Sequence, residues 1–453
     1  MSTDFMSRPA ALLIALLALT VSLLPATAGW MRRPPAQVST RASEVIVGLD
    51  GSLNALSDEA LEARLSAVVM SRSLALNAAV VSPTEDTAEV VGRLENIEGV
   101  LYAEPNRRLT GTSAPNDPLY PLQAHYMEPM GVADAWTLHR GDPDLVVAVI
   151  DSGIDTEHPD LDGAIWRNEA EVPDNGIDDD DNGCVDDVHG CAFFGQGPVA
   201  DECDAPDEGD VRDDYGHGTF VSGIIAGEAD NGVGVAGISP GVTIMPVKIL
   251  DCTGGGSVFD AAQGILYAAK NGARIANLSF GMDEESSILA AAIRQAYFGY
   301  GMIVVAATGS TGEASVQFPA RMPEVISVAS SGNEWSPDGR SGFSDWGPEV
   351  TVSAPGYGVV STVAPGLCPD GWLCFGDEPY AVANGTSFAA PMVTALAALL
   401  LSENPSLPPD VVRGVIRATA HDLPDEGEML WDGAGRIQVL EAMQFARYYL
   451  PED

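Results

Sequence analysis

Leu145-Val146-Val147-Ala148-Val149-Ile150 runs without a polar side chain and is closed by Asp151-Ser152-Gly153. An unbroken run rich in Val and Ile has the signature of a strand buried on both faces of a parallel sheet. Similar runs recur at Val242 to Ile249, Ala273 to Leu278, Met302 to Ala307 and Val325 to Ala329. Helical patterns lie between them, at Ser257 to Lys270 and Ser286 to Tyr297. This alternation predicts an α/β domain, a doubly wound and mostly parallel sheet flanked by helices. Sites in such sheets lie at the carboxyl ends of the strands, where Asp151 stands.

Two further stretches carry chemistry-bearing residues. His217 sits in Tyr215-Gly216-His217-Gly218-Thr219, a tight turn opening a helix of small residues. By itself it reads equally as a base, a ligand or a turn residue. Ser387 sits in Gly385-Thr386-Ser387-Phe388-Ala389-Ala390-Pro391, just before the apolar helical run Ala389 to Leu401. A helix start offers unpaired N–H groups and a positive dipole end, which suit both a capping serine and a nucleophilic one. Asp151 alone reads as a turn or capping aspartate.

Taken together, the Asp motif, Gly-His-Gly-Thr and Gly-Thr-Ser-x-Ala-x-Pro occur in the order Asp, His, Ser. This chain resembles the subtilases, the subtilisin-like serine proteases, from about Pro115 to its end. The resemblance implies a secreted serine endopeptidase in which Ser387 attacks the peptide carbonyl, His217 moves the proton and Asp151 orients the imidazole. His158, in Glu157-His158-Pro159-Asp160-Leu161, reads as structural.

Composition is compatible with that expectation. Among 453 residues, 65 are acidic and 22 basic, a net charge of −43, which makes nucleic acid and anionic membrane surfaces poor partners. Arg8, the apolar stretch Ala10 to Leu24 and Pro25-Ala26-Thr27-Ala28 read as a secretory signal peptide over residues 1–28. No stable membrane anchor is expected after its removal. Six cysteines in an exported chain make disulfides the default. Cys368 and Cys374 flank a short loop and are the expected local pair, while the others cannot be paired from sequence.

Residues 29–112 read as a propeptide. A strand at Glu44 to Gly48, helices at Ser57 to Met70 and Thr87 to Leu94, and a strand at Gly99 to Asn106 predict a small α+β unit. Its ending, Val100-Leu101-Tyr102-Ala103-Glu104-Pro105-Asn106, resembles the inhibitory propeptides that precede subtilisin-like proteases. A zymogen is therefore expected, with self-cleavage between Asn106 and Asp117 and the propeptide acting as an intramolecular inhibitor. Residues 113–453 form the expected peptidase domain, with Val439 to Tyr449 as its last helix and no appended domain.

The resemblance also places the cleft. Gly254-Gly255-Gly256 and Ser279-Phe280-Gly281 fall where the family pairs its backbone with extended polypeptide substrates. Gln317 falls near the base of the primary specificity pocket. Phe388 replaces a Met common in relatives, which predicts resistance to peroxide. One departure matters more. Ser310 stands where the family has the Asn that donates to the oxyanion, with the Ser387 N–H as the other donor. A weakened oxyanion hole would suit a restricted processing protease, or an exported peptide-binding protein that does not cut.

Finally, Asp174 to Asp187 is the densest acidic stretch. Asp178, Asp180 and Asn182 alternate before Gly183 as in the first half of an EF-hand loop, and Asp186 or Asp187 could close the site. Oxygen-only ligands point to a structural Ca2+. The bland reading is a solvated acidic loop.

Overall fold

The computed structural model describes residues 45–82, 87–105, 114–194, 203, 206–333, 336, 338–423 and 431–449. The expected signal peptide and residues 106–113, in the stretch expected to be self-cleaved, lie outside them. Two compact units are present, one ending at Thr112 and one beginning at Ser113.

The smaller unit contains β1 (Val45–Leu49), α1 (Asp58–Leu65), β2 (Val68–Ser73), β3 (Ala78–Ser82), α2 (Thr87–Glu95) and β4 (Val100–Pro105). Its sheet has the order β2-β3-β1-β4 and is antiparallel throughout. The apolar faces of Val45, Val47, Leu61, Leu65, Val90 and Leu94 close a separate core. One sequence expectation needs correcting. The helix predicted to reach Met70 stops at Leu65, where Ser66 takes a left-handed conformation (φ 50°) that ends it. The β-branched Val68 and Val69 then pair with β3, so a hairpin stands where helix was expected.

The larger unit is built on seven strands: β5 (Val146–Asp151), β6 (Cys191–Ala192), β7 (Thr243–Lys248), β8 (Ile275–Leu278), β9 (Ile303–Ala307), β10 (Val325–Ser331) and β11 (Val352–Pro355). Their order is β11-β10-β9-β8-β5-β7-β6, and each neighbouring pair is parallel. Both faces are covered, which explains the continuous apolar runs. The chain leaves β7 and resumes at β8, on the opposite side of β5, so the direction of winding reverses beside Asp151. That reversal opens a crevice at the carboxyl edge.

Helix α3 (His217–Ala226), α4 (Val258–Lys270), α5 (Ser287–Arg294), α6 (Thr386–Glu403), α7 (Pro409–Ala418) and α8 (Val439–Tyr449) complete the main layers. A small antiparallel sheet of β12 (Val359–Thr362), β13 (Leu373–Cys374) and β14 (Tyr380–Ala383) leads into α6. Among the described residues α6 alone is long and apolar enough to cross a bilayer, yet 89% of it is buried inside the unit. Disulfides join Cys184 to Cys191, Cys203 to Cys252 and, as expected, Cys368 to Cys374.

Candidate active site

Asp151 ends β5 and His217 begins α3. The two meet because the turns between them carry glycine where bulk cannot fit. Gly216 has φ 101°, and a Cβ on Gly218 would fall 2.1 Å from the Gly153 carbonyl oxygen. His217 Nδ1 lies 2.8 Å from Asp151 Oδ1, and that carboxylate is fully buried. Oδ1 also accepts the Ser152 N–H at 2.7 Å, which fixes the carboxylate's orientation. Burial alone would lower the imidazole's affinity for its proton. The charge and hydrogen bond of Asp151, with a smaller pull from Asp213, outweigh it and hold His217 above its ordinary value.

Ser387 is the second residue of α6, so its N–H has no acceptor within the helix. Its hydroxyl donates to the Ser279 carbonyl at 3.0 Å, and the Ser279 hydroxyl donates back to the Ser387 carbonyl at 2.7 Å. The Ser387 hydroxyl is thus engaged with the cleft edge, while His217 faces the same cavity. Reorientation of one side chain is the step that would join serine to imidazole, a tightening common when substrate binds.

Both residues line a cleft of about 270 Å³ together with Tyr215, Leu250, Gly254 and Ser279. Phe280, Gly281, Ser310 and Gln317 line it too, so most of the expected cleft residues converge. Gly255 and Gly256 do not. Gly255 closes a turn by bonding Asp251, and Gly256 bridges back to Leu250 behind the edge. Gln317 is directed inward, against the backbones of Gly281 and Gly309. The Ser310 hydroxyl accepts the Thr386 N–H at 3.1 Å and lies 3.0 Å from the Thr386 hydroxyl.

Several residues around this site escaped the sequence reading. Asp213 is buried and accepts bonds from Ser152 Oγ, Gly216 N, Thr219 N and Thr219 Oγ1, bracing the turn before His217. Lys248 is also buried. Its ammonium donates to the Ser152 carbonyl (2.5 Å), Asp214 (2.6 Å) and the Leu250 carbonyl (3.2 Å). Asn277 donates to Ser279 Oγ and accepts from Thr394 Oγ1, so the cleft edge is tied to the middle of α6. These links join loops far apart in sequence, and no motif announces them.

The acidic loop arranges itself differently from the EF-hand pattern. Glu171, Asp178 and Asp180 are brought together, with an oxygen from each within 4.8 Å of the others. Asp186 lies outside that group and accepts the N–H groups of Asn175 and Gly176. Asp187 accepts from Asn168, Asn182 and Tyr267. Asn182 gives its side-chain amide to Asp187 and its N–H to Asp178 and Asp180, and Glu171, outside the sequence window, joins those two carboxylates. The donor set fits a hard cation: it is all oxygen, and Glu171 Oε2 is buried with no hydrogen-bond partner. His158 is buried between the Pro379 carbonyl and the Asp160 N–H, a packing role.

An acid, an imidazole and a helix-start serine thus stand together at the carboxyl edge of a parallel sheet. The description "Subtilase family" matches residues 142–435, and "Fervidolysin N-terminal prodomain" matches residues 37–106. The chain is 34% identical over 316 residues to the thermophilic serine proteinase of Bacillus sp. (strain AK1), covering 69% of this chain and 66% of that protein. It is 31% identical over 331 residues to thermitase of Thermoactinomyces vulgaris, covering 73% and 99%. With subtilisin Savinase of Lederbergia lenta the identity is 37% over 218 residues, 48% of this chain and 75% of that one. A solved protease of Pseudoalteromonas arctica PAMC 21717 superposes with a TM-score of 0.60 at 28% identity, covering 74% of this chain and all of that one. The chain belongs to the subtilase family, and its relatives are subtilisin-like serine endopeptidases.

Proposed function

We propose that the protein is an exported serine endopeptidase made as a zymogen, with Asp151, His217 and Ser387 as its triad. The observation that carries this reading is the 2.8 Å contact between His217 Nδ1 and Asp151 Oδ1 in a cleft that also exposes Ser387. In the reaction, His217 Nε2 takes the Ser387 proton as Oγ attacks the peptide carbonyl. Asp151 stabilises the imidazolium, which then protonates the leaving amine. The Ser387 N–H and the Ser310 hydroxyl receive the oxyanion. Water, deprotonated by the same imidazole, releases the acyl group from Ser387.

Polypeptide substrates would lie extended between Leu250–Gly254 and Ser279–Gly281, paired through backbone bonds. With Gln317 folded against Gly281 and Gly309, the primary pocket is shallow and polar, and large aromatic residues before the scissile bond are disfavoured. Residues 1–28 act as signal peptide, 29–112 as an intramolecular inhibitor and 113–453 as peptidase. Glu171, Asp178 and Asp180 would hold a structural Ca2+, whose charge would neutralise the crowded carboxylates.

Ser310 in the place of the family's Asn favours a slow, restricted processing enzyme as the second reading. One experiment separates these. The full precursor and its Ser387→Ala variant are expressed, and propeptide release and fluorophosphonate labelling are followed. Wild-type chain that neither matures nor labels would defeat the endopeptidase reading, and maturation without bulk-protein hydrolysis would favour the restricted enzyme.

A further inference from the structure

His217 is flanked differently on its two sides. Tyr215 lies toward the cleft, with ring centroids 6.3 Å apart, and itself lines the cavity. Phe388 (5.4 Å) and Trp372 (6.4 Å) also approach the imidazole, but neither lines that cavity. A base that protonates the leaving amine must lie against the departing half of the substrate. The groups beside the imidazole and outside the acyl cleft therefore face the residue that follows the scissile bond.

Phe388 is only 3% exposed and forms the floor. Trp372 is half-buried, and Leu373 beside it is 46% exposed, so the loop offers accessible apolar surface. This loop is fixed from three directions. Trp372 packs on Phe220 at 4.7 Å and Phe388 at 5.5 Å. The Cys368–Cys374 disulfide closes the loop around it, and Leu373 and Cys374 pair with β14, the strand that leads to Ser387. Pro369 also lies against the Gly216 turn, 3.4 Å from where a Cβ would stand. A rigid indole at low conformational cost suits the binding of an apolar or aromatic side chain.

We propose that Trp372, presented by the Cys368–Cys374 loop, forms an apolar subsite for the substrate residue immediately after the scissile bond. The inference rests on the endopeptidase reading and adds a preference on its leaving-group side. Substrates with Leu or Phe there are cleaved better than those with Gly or Asp.

The test compares mature wild type, Trp372→Ala, Trp372→Phe and the double variant Cys368→Ser/Cys374→Ser. Each is assayed on internally quenched peptides differing only in the residue after the scissile bond, and on a peptide methyl ester, whose leaving methanol is too small to reach the proposed subsite. The wild type should prefer Leu or Phe over Gly by roughly tenfold or more in kcat/KM, the scale of an apolar contact. Trp372→Ala should abolish that preference by lowering kcat/KM on the Leu and Phe peptides to about that on the Gly peptide, methyl-ester hydrolysis should fall by much less, and Trp372→Phe should retain most of the preference. The double variant should lose preference in proportion to the loosened loop. No preference in the wild type, an unchanged preference in Trp372→Ala, or equal losses on both substrate types would overturn the proposal. In those cases methyl-ester hydrolysis by the wild type persists and the endopeptidase reading stands. A wild type that hydrolyses nothing and takes no fluorophosphonate overturns both.

Discussion

The Thr386 hydroxyl lies 3.0 Å from the Ser310 hydroxyl and accepts the Gly309 N–H at 3.3 Å. Ser310 Oγ already accepts the Thr386 N–H. When Thr386 also donates its hydroxyl hydrogen, both acceptor positions of Ser310 are filled and its own O–H is left as the free donor. Ser310 lines the cleft, where that hydrogen can meet an oxyanion. Ser310→Ala should therefore lower kcat with little change in KM. Losing an oxyanion donor costs roughly 10²–10³ in rate, a magnitude that comes from subtilisin itself, and a hydroxyl in place of an amide sets this as the upper bound. Thr386→Val should act in the same direction, and the double variant should lose less than the product of the two. Steady-state kinetics decide it, and full activity in Ser310→Ala would leave the Ser387 N–H as sole donor.

The acid limb of the activity profile should lie above pH 6.5. Burial would depress the His217 imidazole, but Asp151, aided by Asp213, raises it past the ordinary value of 6.5. A general base must be neutral, so kcat/KM climbs as pH passes through this raised value. Asp213→Asn removes one of the charges responsible and should move the limb to lower pH. The same shift has a stability consequence. The folded protein holds the proton more tightly than the unfolded chain, so this contribution is full below pH 6.5 and is lost as pH rises through the folded value. A pH–rate profile in the two proteins checks the direction, and a limb below pH 6.5 would contradict it.

Lys248 should act as a positioning residue. One buried ammonium ties the backbone after Asp151, the loop before His217 and the cleft strand at Leu250. In Lys248→Met the Ser152 and Leu250 carbonyls lose a charged donor inside the protein, at a cost of about 1–3 kcal/mol per unsatisfied group. Both thermal stability and kcat should fall. Lys248→Arg should not restore them, since a planar fork does not match three acceptors around a compact ammonium. Asp214 is partly exposed, so Asp214→Asn should cost less than Lys248→Met. Unchanged kcat in Lys248→Met would remove the positioning role.

How much of this could be read from the sequence depended on whether a local pattern encoded it. The run ending at Ile150 marked β5 to within a residue, because burial on both faces leaves no polar interruption. The start of α6 was visible because Gly385 and Ser387 flank an apolar stretch. The β2–β3 hairpin was missed because Ser71, Arg72 and Ser73 are tolerated on its exposed strand, where no alternation survives. Glu171 was missed because it precedes the Asp-rich motif and reaches Asp178 only after the loop folds back. Trp372 and Lys248 act across loops brought together by the sheet edge, a relation that neither periodicity nor spacing carries.

Removal of divalent cations should destabilise the protein through one loop. Glu171, Asp178 and Asp180 gather negative charge at close range, and Glu171 Oε2 is buried without a partner. Without a cation, repulsion and desolvation oppose this arrangement; with one, the same oxygens become ligands. A ligand present at a hundredfold its Kd stabilises the folded state by about 2.7 kcal/mol. Each kcal/mol moves Tm by about 2–4 °C in a unit of about 150–250 residues and by less in a larger one such as this, so the shift is a few degrees. The measurement is best made in the Ser387→Ala background, so that autolysis does not mask unfolding. Excess EGTA should lower Tm, and added Ca2+ should restore it. Glu171→Gln should remove most of that dependence and, in EGTA, melt no lower than its parent, because one source of repulsion is gone. Asp186→Asn should retain the response, since Asp186 lies outside the group formed by Glu171, Asp178 and Asp180. A melting curve indifferent to EGTA, or Ca2+ dependence that survives in Glu171→Gln, would locate the stabilising cation elsewhere.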